Sequence, residues 1–260
     1  MPSLNEKKRI RALRRRKGRD AEGLFLAEGV RVVRDLLDAG RPVALALYTA
    51  EAEKDPEAAP LVERLRGSAA RTERVAAEEL SGYADTATPQ GLLVVAGIPL
   101  PGWDDLRSTR LLVLDGVQDP GNLGTLVRTA EALGAGGVLC LEGTTDPWGA
   151  KAVRAAAGSS LRLPVLRVGR AEAIAGLAER GIPLWASAAD GEPLRRGEPR
   201  PESVALAVGN EGAGISDAVR RAAARVVAIE QVPEAESLNV AVAAALLMDR
   251  IFGGDGDGIR

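Results

Sequence analysis

Six short apolar runs divide the C-terminal part of the chain: Leu111 to Leu114, Val138 to Leu141, Leu163 to Val168, Pro183 to Ala186, Val204 to Val208 and Val226 to Ile229. Mostly helical stretches separate them. Runs apolar without interruption are strands buried on both faces, and their alternation with helices makes them neighbours in a parallel sheet. Ligands of such sheets sit in crevices beyond the carboxyl ends of the strands. Three of those ends carry marked loops: Asp115-Gly116-Val117-Gln118-Asp119-Pro120-Gly121-Asn122-Leu123-Gly124, Gly209-Asn210-Glu211-Gly212-Ala213-Gly214, and an acidic loop that runs into Ser237-Leu238-Asn239-Val240. One composite site is the expectation.

Upstream, Leu24 to Ala27, Val43 to Tyr48 and Gly91 to Ala96 read as strands. Val30, Val33, Leu36 and Leu37 fall at helical spacing before Gly40, and Pro60 to Arg66 is a second helix. This is a smaller α/β unit. The stretch Ile98-Pro99-Leu100-Pro101-Gly102-Trp103 interrupts both periodicities and is the expected linker.

The chain of 260 residues has 46% hydrophobic content and no apolar run near the ~20 residues of a membrane span, so a soluble, cytoplasmic protein of two domains is expected. It has no histidine and one cysteine, which removes the usual general base, disulfides and the common zinc sites. Cys140 lies inside an apolar strand and reads as an inert buried thiol. Aromatic content is 3%, too little for a base-stacking platform. Lys7, Lys8, Arg9, Arg11, Arg14, Arg15, Arg16, Lys17 and Arg19 form a dense basic block, either a phosphate-binding arm or a solvated helix. No apolar segment follows those charges, so a secretion signal is not expected.

Each motif has a functional and a plain reading. The Asn122-Leu123-Gly124 turn offers N–H groups at a helix start or is an ordinary tight turn. Arg128 faces the crevice or solvent, and Glu211 pairs with it either as part of a site or as a structural ion pair. The glycine spacing around Glu211 is not the dinucleotide fingerprint, which disfavours a dehydrogenase. Ser237 is placed to cap a helix beginning near Leu238, and Asn239 is an amide at the start of an apolar helix that needs partners. The glycine- and aspartate-rich Gly253 to Gly258 reads as a tail; two aspartates are too few for a calcium loop.

Together, Asn122-x-Gly124-x-x-x-Arg128, Gly209-x-Glu211-x-x-Gly214 and Ser237-Leu238-Asn239-Val240-Ala241-Val242-Ala243 resemble the SpoU/TrmH family of RNA ribose methyltransferases, in the SPOUT class. Phe25-Leu26-Ala27-Glu28-Gly29-Val30 and Thr88-Pro89-Gln90-Gly91 resemble that family's substrate-binding domain, a small ribosomal-protein-like fold. The resemblance implies an RNA-binding domain with a basic arm over 1–97, a linker over 98–108, and over 109–260 an α/β parallel-sheet SPOUT domain with a deep trefoil knot. It implies methyl transfer from S-adenosylmethionine to a ribose 2'-hydroxyl, without metal, in a homodimer acting on RNA, ribosomal before transfer RNA. Gly209, Ile229 and Leu238 would hold the cofactor; Asn122, Arg128, Glu211, Ser237 and Asn239 would line the reaction centre. A guanidinium is a poor proton acceptor, so Arg128 is expected to bind the neighbouring phosphate and stabilise charge on the ribose oxygen. In the loop after Ile229 relatives commonly place a proline where this chain has Glu230-Gln231-Val232-Pro233, and the adenosine pocket is expected to differ in shape. A base-modifying relative and a silent RNA-binding scaffold are the competing readings.

Overall fold

The computed structural model of the chain describes residues 2–68, 70–232 and 238–253. In chain order the strands are β1 (Leu24–Glu28), β2 (Val43–Tyr48), β3 (Arg71–Arg74), β4 (Leu92–Gly97), β5 (Arg110–Asp115), β6 (Gly137–Cys140), β7 (Val165–Arg167), β8 (Leu184–Pro193), β9 (Val204–Gly209) and β10 (Arg225–Ala228). The helices are α1 (Leu4–Ala12), α2 (Arg16–Glu22), α3 (Val30–Asp38), α4 (Ala59–Arg66), α5 (Ala77–Ser81), α6 (Pro120–Ala132), α7 (Ala150–Ala156), α8 (Ser159–Arg162), α9 (Arg170–Glu179), α10 (Asp217–Ala222) and α11 (Val240–Phe252). Two compact units result, one of Met1–Pro99 with Asp146–Arg162, the other of Leu100–Thr145 with Leu163–Arg260.

The first unit holds a four-stranded sheet ordered β1-β4-β2-β3, antiparallel except for the β2/β3 pair. Side chains alternate across a strand, so each run feeds two cores. Phe25, Ala27, Leu92, Val94 and Ala96 pack with α3, α4 and Trp148 on one face, and Leu26, Leu45, Leu47, Leu93 and Val95 pack with Ile10, Leu13 and Tyr83 on the other. The two N-terminal motifs turn out to be stitching. Buried Glu28 accepts hydrogen bonds from the N–H groups of Asp85 and Thr86 at 2.9 and 3.3 Å and from the Thr86 hydroxyl, while Gln90 accepts from the Val30 N–H at 3.1 Å.

The basic block forms two helices, α1 and α2, joined through Leu13. Arg19 corrects the reading of that block as uniformly solvated or phosphate-facing: it is 6% exposed, its Nε lies 2.6 Å from Asp146, and it donates to the Leu13 carbonyl. Lys7, Arg9 and Arg16 pair with Glu79, Glu22 and Asp20. The side chains of Lys8, Arg14, Arg15 and Lys17 make no hydrogen bond or ion pair among the described residues, and they line a groove of about 1010 Å³.

In the second unit a six-stranded sheet, parallel throughout, runs β10-β8-β9-β5-β6-β7. Leu111, Val113, Leu139, Ala205 and Ala207 pack toward α9 and α10, and the alternate residues face α6 and α11, which pack on each other. Cys140 is buried. The chain moves from β5 to β6 and β7 on one side and returns to β8, β9 and β10 on the other, so the winding reverses between β5 and β9. Asp115 stands opposite Gly209 in that pair. The loops after both strands therefore emerge side by side at the switch point, where open parallel sheets bind ligands.

Candidate active site

The loop after β9 is shaped by what a side chain would strike. A Cβ on Gly209 would lie 2.2 Å from the Gly214 carbonyl carbon, and Gly214 has φ +70. Asn210 and Gly214 exchange two backbone hydrogen bonds of 2.9 Å, and the Asn210 side-chain oxygen accepts from Gly212 and Ala213 N–H. The Asn210 amide donates to the Gly116 carbonyl at 2.9 Å, which ties this hairpin to the loop after β5. Asp115, 3% exposed, anchors both from beneath: one oxygen accepts Arg170 Nε and Nη2 at 3.0 and 2.9 Å, the other accepts Ser216 N–H at 2.8 Å.

At the tip, Glu211 joins the three motifs. Its carboxylate accepts from Gln118 N–H and Asp119 N–H at 3.1 Å each and from the Asn122 side-chain amide at 3.0 Å. The Asn122 oxygen accepts from the Asn239 amide at 3.0 Å, and the Asn239 oxygen caps α11 by accepting from Ala241 and Val242 N–H at 2.9 and 3.4 Å. Burial pushes the Glu211 carboxyl up, but the Asn122 amide and the backbone N–H groups outweigh it and hold the group below its ordinary value. Glu211 is thus a fixed negative charge whose oxygens face donors, an organiser of loops rather than a proton acceptor.

Three expectations need correction here. Glu211 does not pair with Arg128, which is exposed on α6 and whose guanidinium makes no hydrogen bond or ion pair among the described residues. The Asn122 N–H is not free for an anion, because α6 begins at Pro120 and the N-cap Asp119 accepts it at 2.9 Å. The cap of the last helix is Asn239, at a start two residues later than expected; Ser237 itself lies outside the described residues, as do 254–260.

Gly209, Ile229 and Leu238, together with Glu211 and Asn239, line a single cleft of about 300 Å³, within the range of small-ligand sites. Asn122 joins it through its bonds to Glu211 and Asn239, whereas Arg128 sits ~9 Å further along the α6 axis by the rise of a helix. Sequence reasoning missed Ser187, Ala188 and Ala189, which also line the cleft. Between β8 and β10 the pairing jumps from Ala186 opposite Val226 to Glu192 opposite Val227, so the intervening residues leave the register, and the first three of them reach the cleft. Their position past the carboxyl end of a parallel strand was the available signal. Asp115 was missed too, though an acid closing an apolar strand is a visible anomaly.

The profile of the SpoU rRNA methylase family matches residues 109–249, and that of the MRM3-like substrate binding domain matches 5–94. The chain belongs to the SpoU family. It is 37% identical over 176 residues, covering 68% of this chain and 70% of its relative, to the 23S rRNA (guanosine(2553)-2'-O)-methyltransferase RlmP of Bacillus subtilis. Its fold matches the SpoU methyltransferase AviRb from Streptomyces viridochromogenes in complex with AdoMet, with a TM-score of 0.87, 28% identity and coverage of 95% and 97% of the two chains. It likewise matches an AdoMet-bound rRNA methyltransferase from Sinorhizobium meliloti, with a TM-score of 0.83, 29% identity and coverage of 96% and 95%. Both neighbours span the two units of this SpoU protein.

Proposed function

We propose that this SpoU-family chain transfers a methyl group from S-adenosylmethionine to a ribose 2'-hydroxyl of structured ribosomal RNA. The observation that carries the reading is the relay from Glu211 through Asn122 to Asn239 at the mouth of the cleft. The cleft fits the cofactor: bare Gly209 lets the loop carrying Gly214 and Ile215 fold back against it and shape the wall, and Ile229 and Leu238 offer apolar surface to a flat base. When bound, the cofactor supplies an electrophilic methyl on a sulfonium. The protein's own part is positioning and charge. Glu211 fixes the loops, and Asn122 and Asn239 hold the relay. Arg128, with its guanidinium uncommitted, binds an RNA phosphate and stabilises charge developing on the attacking oxygen.

We further hold that the active form is a homodimer and that the C-terminal segment is threaded as a trefoil knot. Leu238, Val242 and Leu246 are 37%, 49% and 38% exposed at four-residue spacing, an apolar stripe continuous with the cleft. A second copy covering that stripe brings its own Arg128 toward the site. Sedimentation should give twice the chain mass, reduced to one by Val242→Glu with Leu246→Glu.

The test is transfer of labelled methyl from S-adenosylmethionine to ribosomal RNA from cells lacking the protein, with the product mapped to sugar or base. Ribose labelling is expected; base labelling would assign the base-modifying alternative, and no transfer the scaffold. Arg128→Ala should lower turnover by about 10²–10³-fold, the scale of losing one charge-stabilising group, with cofactor affinity near wild type. Arg128→Lys, which keeps the charge but not the planar fork of donors, should also lose most activity; if it retained most, the role would need a charge alone and not a guanidinium.

A further inference from the structure

The cleft has a direction. Across the sheet the order β5, β9, β8, β10 places the relay at the β5/β9 end, and Ile229 with the residues that follow it at the β10 end, two strand positions or ~10 Å away. On the reading above, the reacting methyl belongs at the relay end, so the base of the cofactor belongs at the β10 end. Ala228 and Ile229 hold that end and Ala188 and Ala189 follow β8 beside it, all lining the cleft with faces for a ring and no side-chain polar group for its edge. Gln231 is the exception. It lines the same cleft, it is exposed, and its amide has no hydrogen-bond partner among the described residues. Ser187 also lines the cleft, but one hydroxyl cannot present a donor and an acceptor in a fixed plane.

We propose that Gln231 is a specificity-determining residue whose carboxamide reads the N6/N7 edge of the cofactor's adenine, its oxygen accepting from the exocyclic amine and its nitrogen donating to N7. A glutamine amide matches adenine in this two-bond manner wherever the edge is accessible. Inosine, with an oxygen in place of the amine, turns one of those bonds into a clash of acceptors. The chain therefore discriminates adenine from hypoxanthine through a side chain, in addition to whatever its backbone contributes.

The proposal rests on the cofactor reading, and its test separates the two. Calorimetric titration of the full chain with S-adenosylhomocysteine and with S-inosylhomocysteine measures the ratio of the two affinities for wild type, Gln231→Met and Gln231→Ala. Wild type should prefer the adenine compound by about tenfold or more, the scale of one good bidentate pair. Gln231→Met, similar in length and apolar, should bring that ratio near one while its affinity for the inosine compound stays within about twofold and its thermal midpoint is unchanged. A wild-type ratio retained by both variants would overturn the role of Gln231 and leave the cofactor reading standing. Wild-type protein that bound neither compound would overturn the cofactor reading, and this inference with it.

Discussion

Glu211 is the residue at which the electrostatics and the geometry of the cleft meet. Its oxygens take three donors from the loop after β5 and the start of α6, and those donors keep the carboxyl below its ordinary value in spite of partial burial. A group whose folded pKa is depressed stabilises the fold in full above its unfolded value, about 4.3 for glutamate, and that stabilisation is lost as pH falls through the folded value. The stability that Glu211 contributes, read as the difference in thermal midpoint between wild type and Glu211→Gln, should accordingly be constant from pH 8 to about 5 and decline as pH falls below about 4.3; a contribution that grew on acidification would contradict the sign. Glu211→Gln puts a donor where an acceptor is required, so it should weaken cofactor binding by about tenfold or more even at pH 7.5, in keeping with the cost of a mismatched polar group. The identity of Glu211 was legible from its place between glycines. Its partner was not: sequence spacing suggested an ion pair with Arg128, because opposite charges are visible in a string and backbone N–H groups are not.

Helix α11 shows how one side chain serves an element and a site together. Asn239 caps the helix through its oxygen and reaches Asn122 through its nitrogen, so its two functions sit on different atoms and different substitutions separate them. Asn239→Asp keeps the capping oxygen and replaces the donor with an acceptor; stability should hold within ~0.5 kcal/mol, since Asp and Asn cap equally well, while turnover falls. Asn239→Ala should lose both, with roughly 1 kcal/mol of stability gone with the cap. Thermal unfolding read beside methyl transfer decides between them, and an Asp variant as active as wild type would leave Asn239 a cap alone. At this scale the apolar runs were readable because burial on both sheet faces writes itself as uninterrupted Leu, Val and Ala, as in β5 and β9. Strand β3 was not, since Arg71-Thr72-Glu73-Arg74 at the sheet edge buries nothing that would mark it. The extension of β8 past Ala186 was hidden for a related reason: its polar residues loop out of register before pairing resumes.

For the whole molecule the question is how the two units divide the work of one reaction. The second carries the cleft; the first presents the side chains of Lys8, Arg14, Arg15 and Lys17 along its groove without internal partners, whereas Lys7, Arg9, Arg16 and Arg19 of the same two helices are committed to carboxylates and Arg11 lies over the Tyr83 ring. Uncommitted cations are the ones that exchange counterions for phosphates, and each phosphate neutralised steepens the salt dependence of RNA binding. Arg14→Ala with Arg15→Ala should therefore reduce the slope of log affinity against log salt by about 2, roughly one per cation, and weaken RNA binding without regard to sequence. Cofactor affinity should not change, because those residues line no part of the cleft. Arg19 would be a misleading choice for the same experiment: its guanidinium is buried against Asp146, and Arg19→Ala should cost about 3–5 kcal/mol of stability by stranding a buried carboxylate. RNA affinity titrated from 50 to 300 mM salt gives the slope, and a double variant with the wild-type slope would remove the groove from the RNA path while leaving the chemistry of the cleft intact.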